Sequence, residues 1–156
     1  MRSPQVSEAV ERIYSVFGPY ARPEKADFCA DCYDPREIEY FRKTPLRGFD
    51  AGMARSLVWE AHDHWPNLET YKHYLPLILD SLAPPRRCAD MYEDHLFDNL
   101  RALGFQEWPV SEREAFWAYV VAVQDALVKI DAQEAEEWKV AASKLAGGPY
   151  RIDDVL

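Results

Sequence analysis

Cys29 and Cys32, three residues apart, have the type and spacing in this chain most suited to chemistry. Thiolates at that interval supply two of the four ligands of a tetrahedral zinc site, and Cys88, His62, His64, His73 and His95 are the residues that could supply the rest. A redox pair instead wants its first cysteine at the start of a helix that follows a strand. No strand pattern precedes Cys29, and one CxxC without a second pair is a weak metal signal. Ordinary thiols are the expected outcome. A small zinc-binding or redox protein using Cys29 and Cys32 is the alternative.

The histidines give less. His62 and His64 are two apart at a helix end, so they point in different directions and do not chelate one ion. His73 lies between Tyr71 and Tyr74, where a packing role is expected. There is no serine elbow, no glycine-rich phosphate loop and no His-Glu-x-x-His. Paired carboxylates are common, but nothing sets one apart from another as acid–base work requires. No catalytic residue is expected.

The carboxylates matter through their distribution. Between Asp90 and Glu137 twelve acids face three bases, so that span holds the entire net charge of −9 and the rest of the chain balances. Nucleic-acid and anionic-membrane binding need the opposite sign. A basic protein partner fits. Asp90, Asp94 and Asp98 recur at i, i+4, i+8, on the side of a helix away from Tyr92, Leu96 and Leu100. Like charges so spaced destabilise an isolated helix by a few tenths of a kcal/mol per pair. Asp90, Glu93, Asp94 and Asp98, with Glu134, Glu136 and Glu137, are therefore the expected docking surface. Phe97, Trp108 and Trp117, read as exposed, would be its apolar anchors.

The elements that position these residues read as helices throughout. Ser111 to Ile130 is central: Phe116, Val120, Val123, Leu127 and Ile130 form one stripe, and Trp117, Val121 and Val128 a second. Ser111 and Glu114 have the spacing of a capping box at its start. Before it, residues 5 to 17 form a first helix ending at Gly18, and Pro19 to Tyr33 is loop. Asp34-Pro35 with Glu37 caps a short second helix, and Asp50 caps a third through about Asp63. Asn67 caps a fourth over Leu68 to Leu82, which Pro76 should kink or split. Asp90 with Glu93 opens a fifth that Gly104 closes. Asp131 with Glu134 opens a seventh, ending at Gly147-Gly148-Pro149, and Tyr150 to Leu156 is the one segment that could be a strand. Short connections favour antiparallel neighbours, hence an all-α, single-domain helical bundle or stacked helical hairpins of about seven helices over residues 1–156.

At 156 residues the chain can bury a full core. No run approaches the roughly 18 apolar residues of a membrane span. Met1 to Val6 lacks the apolar segment of a signal peptide, so a cytoplasmic protein is expected. Three cysteines, an odd number, argue against a disulfide scaffold.

The order Cys29-x-x-Cys32, Pro45-Leu46, Tyr71-Lys72-His73-Tyr74-Leu75-Pro76 resembles a group of small bacterial proteins without an assigned activity. Their pattern is a CxxC, a Pro-Leu and an aromatic-Lys-His-aromatic-Leu-Pro-Arg run. The likeness spans about residues 10 to 83 and breaks at Leu77, where the pattern has arginine. The resemblance implies a bacterial, mostly helical protein and no reaction. Many small acidic bacterial proteins are immunity proteins, which by analogy of type makes the expected function non-catalytic neutralisation of a basic toxin domain by occlusion.

Overall fold

The computed structural model describes residues 1–22, 28–64, 67–85 and 92–146, with the backbone alone for 58–64 and 92–94. Among these residues there are seven α-helices and no strand: α1 Pro4–Phe17, α2 Pro35–Lys43, α3 Ala51–His64, α4 Leu68–Leu82, α5 Tyr92–Ala102, α6 Val110–Val128 and α7 Ala132–Leu145. Short 3-10 turns, Leu46–Gly48 and Phe105–Glu107, precede α3 and α6. The chain is an all-α packed helical bundle. No described helix is long and apolar enough to cross a membrane.

Local chemistry sets most boundaries. Asp34 accepts hydrogen bonds from the N–H groups of Arg36 and Glu37 (2.7 and 3.0 Å), and Glu37 accepts one from the Asp34 N–H at 3.0 Å. Asn67 and Asp131 cap α4 and α7 in the same way, each through Oδ1 to two amides of the first turn. Asp50 Oδ1 takes the Met53 N–H at 2.9 Å at the start of α3. Gly104 sits at φ 69°, ψ 39°, a left-handed geometry that stops α5 and that a Cβ would strain.

Helix α6 is central, though its details depart from the sequence pattern. Pro109, not Ser111, stands at its N-cap: the Pro109 carbonyl accepts from Glu112 and Arg113 N–H at 3.0 and 3.1 Å. The helix therefore begins at Val110, Ser111 falls inside the first turn, and no side chain caps it. The Phe116–Val120–Val123–Leu127 stripe is buried, but Ile130 lies beyond the helix and is exposed. The second buried row is Ala115, Tyr119, Ala122 and Ala126 rather than Trp117, Val121 and Val128. Its small residues let a neighbouring helix approach closely. α1 and α7 both pack on α6, α1 also packs on α4, α3 on α4, and α5 on α7.

Helix α4 is buried nearly all round, every residue from Thr70 to Leu79 being inside. It runs as one helix through Pro76. Proline leaves the Lys72 carbonyl without its helical partner, and packing on all sides holds the helix together. Buried rings keep their polar ends satisfied: Tyr74 Oη donates to the Phe41 carbonyl at 3.1 Å, Tyr119 Oη to that of Leu79 at 2.7 Å, and Trp138 Nε1 to that of Val120 at 3.1 Å. The expected cap at Asp90, the Trp65-Pro66 break, the Gly147-Gly148-Pro149 stop and the tail from Tyr150 lie outside the described residues.

Candidate functional site

The acidic residues separate into those with defined surroundings and those without. Asp90 lies outside the described residues, as do the side chains of Glu93 and Asp94. Asp98 is exposed and paired with Arg101 one turn on, 3.0 Å away, so its charge is partly answered within α5. On α7 the inward side is Ala135, Trp138, Ala142 and Leu145, and this periodicity turns Glu136 and Glu137 outward. Glu137 accepts from Gln133 Nε2 at 2.8 Å, and Glu134 is half-buried beside the Asp131 cap. Since α5 packs on α7, Asp98 and the α7 glutamates stand on adjacent helices.

The expected aromatic anchors are not at the surface. Phe97 is 1% exposed and Trp108 4%, and Trp117 is partly buried against the core. Phe97 packs between Phe116 and Trp138, with ring centroids 6.0 and 5.2 Å away. Trp108 donates Nε1–H to the Leu103 carbonyl at 3.1 Å. Helical phase alone places these rings on the wheel without saying which wheel positions a neighbour will cover. Among the described residues the large apolar side chains that remain exposed are Met1, Val110 at the start of α6, Val128 and Ile130 where α6 hands over to α7, and Val140 on the outer face of α7.

Cys29 and Cys32 are brought together by a hydrogen-bonded turn. The N–H groups of Cys32 and Tyr33 both donate to the Cys29 carbonyl at 3.1 Å, and the two Sγ atoms stand 2.7 Å apart. Cys29 is half-buried and Cys32 exposed. Among the described residues no third His, Cys, Asp or Glu stands close enough to make a metal-binding group with them. Cys88 lies outside those residues, as do the side chains of His62 and His64. The described part of the site is two facing thiols.

Sequence reasoning missed a buried polar group among the described residues. Lys72 and Glu112 are only 5% and 6% exposed at their side chains, and Lys72 Nζ lies 2.6 Å from Glu112 Oε2. Tyr20 Oη donates to Glu112 Oε1, and Lys72 Nζ donates to Tyr20 Oη at 3.0 Å. The ammonium also sits over the rings of Trp108 (4.4 Å) and Tyr20 (5.0 Å). Burial, with the hydrogen bond to Glu112 next, holds the Tyr20 phenol above its ordinary pKa. Beside it, His73 Nδ1 donates to the Tyr20 carbonyl at 2.8 Å, which leaves Nε2 as a buried lone pair with no partner among the described residues. Burial lowers the His73 pKa, so the ring is neutral. This node joins α4, α6 and the loop that follows α1. The only sequence signal was a lysine and a histidine in the middle of an otherwise apolar run, Tyr71 to Leu79.

Comparison with protein-family models, curated proteins and solved structures finds no match to this chain.

Proposed function

We propose that this is a non-catalytic bacterial protein that binds a basic protein partner, as an immunity protein binds and occludes a toxin domain. The observation that carries the reading is the outer face of α7, where exposed Glu136 and Glu137 stand one turn before exposed Val140, with Val128 and Ile130 also exposed just before the helix begins. An acidic rim around aliphatic residues left in water suits a cationic partner. The carboxylates would steer association and set register, and the valines and isoleucine would hold the complex once formed. The concentration of the net charge between Asp90 and Glu137 supports a basic partner, and the resemblance to small bacterial proteins supports the setting.

The partner is sought in the reading frame beside this one, as a chain ending in a basic toxin domain. Replacing Asp98 with Asn and Glu134, Glu136 and Glu137 with Gln should slow association with that domain at least about tenfold at low salt and flatten the salt dependence. Unchanged association kinetics would remove the reading.

A further inference from the structure

The cysteine pair sits in a clasp of aromatic rings. Phe28, next to Cys29, packs on Phe41 with centroids 5.1 Å apart and on Tyr74 at 6.1 Å. Tyr33, next to Cys32, packs edge-on against the same Phe41 at 5.1 Å and donates Oη–H to the Ser56 carbonyl at 2.9 Å. Phe41 is the one residue of α2 that is buried. The two cysteines are thus the links between two rings that together grip the sole buried anchor of a nine-residue helix. At its other end α2 is held by Arg22, whose guanidinium donates to the carbonyls of Arg42 and Thr44. A helix this short is not stable in water without such contacts.

We propose that Cys29 and Cys32 are a reversible dithiol–disulfide site that takes a low-molecular-weight disulfide, and that closing the bond fastens α2 to the bundle. The turn already presents the two sulfurs to one another, 2.7 Å apart, so about 0.7 Å of further approach gives a bond of about 2.0 Å. Exposure sets the order of attack. The exposed Cys32 thiolate attacks one sulfur of the small disulfide, forming a mixed disulfide and releasing one small thiol. Half-buried Cys29 then attacks the Cys32 sulfur, forming the Cys29–Cys32 bond and releasing the second. The protein pair loses two electrons and two protons. The small disulfide gains both and leaves as two thiols. With the bond made, Phe28 and Tyr33 are tied at a fixed separation over Phe41. The site is on the opposite half of the sequence from the acidic face of α7 and stands or falls independently of it.

The test uses the full chain with oxidised glutathione as the probe, followed by mass spectrometry, peptide mapping and amide exchange. The expected product has lost two hydrogens, carries no glutathione and maps to a Cys29–Cys32 bond. Amides of residues 36–43 then exchange several-fold more slowly than in the reduced chain. Cys29→Ser, which keeps the attacking thiol, should accumulate one glutathionyl group at Cys32. Cys32→Ser should react at least about tenfold more slowly, because the remaining thiol is the less accessible one. Any of four results overturns the proposal: no intramolecular bond, a bond that maps to Cys88, a bond that leaves exchange in α2 unchanged, or stoichiometric zinc held by the pair in protein purified without a tag. The wild-type measurement decides the matter even if a serine variant does not fold.

Discussion

Replacing Glu112 with Gln keeps the volume and one hydrogen-bond acceptor for Tyr20 but removes the charge facing Lys72. The ammonium would then be left 5% exposed, held by the Tyr20 hydroxyl at 3.0 Å and the two ring faces. Breaking a buried pair in this way costs about 3–5 kcal/mol, since the surviving charge stays desolvated. The Trp108 and Tyr20 faces offset part of that, about 0.5–2 kcal/mol, so a net loss near 3 kcal/mol is expected. For a chain of this length that corresponds to a fall in melting temperature of roughly 6–12 °C. Urea titration followed by tryptophan fluorescence measures it, and Trp108, 4.4 Å from the ammonium, reports on the site itself. The double variant Lys72→Met with Glu112→Leu should recover most of the loss, because a hydrophobic pair of similar volume replaces a buried ion pair at little or no cost. A single-variant loss below about 1 kcal/mol, the value of an exposed pair, would refute the view that this node is desolvated and mutually dependent.

Other outcomes follow from the same structure. Because burial lowers the His73 pKa in the folded chain, the unfolded chain binds the proton more readily. The neutral ring's stability is therefore fully present above about pH 6.5 and is lost as pH falls through the folded value, each tenfold difference in proton affinity between the two states being worth about 1.4 kcal/mol. His73→Gln should flatten that acid limb in denaturant titrations run at successive pH values. An acid limb unaltered by His73→Gln would place the titration elsewhere. Gly104→Ala should cost about 1–2 kcal/mol in the same assay, since φ 69° strains any side chain even where space is open. Asp34→Ala should cost about 1 kcal/mol by removing the carboxylate that accepts from the Arg36 and Glu37 N–H groups, while the backbone N–H of residue 34 keeps its bond to Glu37, and amide exchange should show the loss concentrated in α2.

What could be read from the sequence was what depends on near neighbours. The caps at Asp34, Asn67 and Asp131 involve amides two or three residues away, and the Phe116 to Leu127 stripe needs only the helical repeat. The start of α6 was misread because Ser111 has the right type and spacing for a cap, while the Pro109 carbonyl takes the first helical bonds two residues earlier. The burial of Phe97 and Trp108 depends on which helices pack against α5 and the turn before α6, information no single helical wheel contains. The Lys72–Glu112–Tyr20 node was illegible for the same reason in stronger form. Tyr20 and Lys72 are 52 residues apart in sequence, and although a lysine inside an apolar run is conspicuous, nothing near it in sequence names the partners it meets. For the candidate docking face, the uneven charge was visible in the sequence, whereas its aliphatic centre at Val140 emerged only with the packing of α7.

The most direct test of the proposed docking face is amide hydrogen exchange of this chain, free and mixed with the basic toxin domain proposed as its partner. Docking through this face predicts that binding protects the α7 helix, Ala132–Leu145, and neighbouring α5, Tyr92–Ala102, with α1 to α4 unchanged. Protection confined to residues 4–82, with α7 exchanging as it does in the free chain, would contradict it.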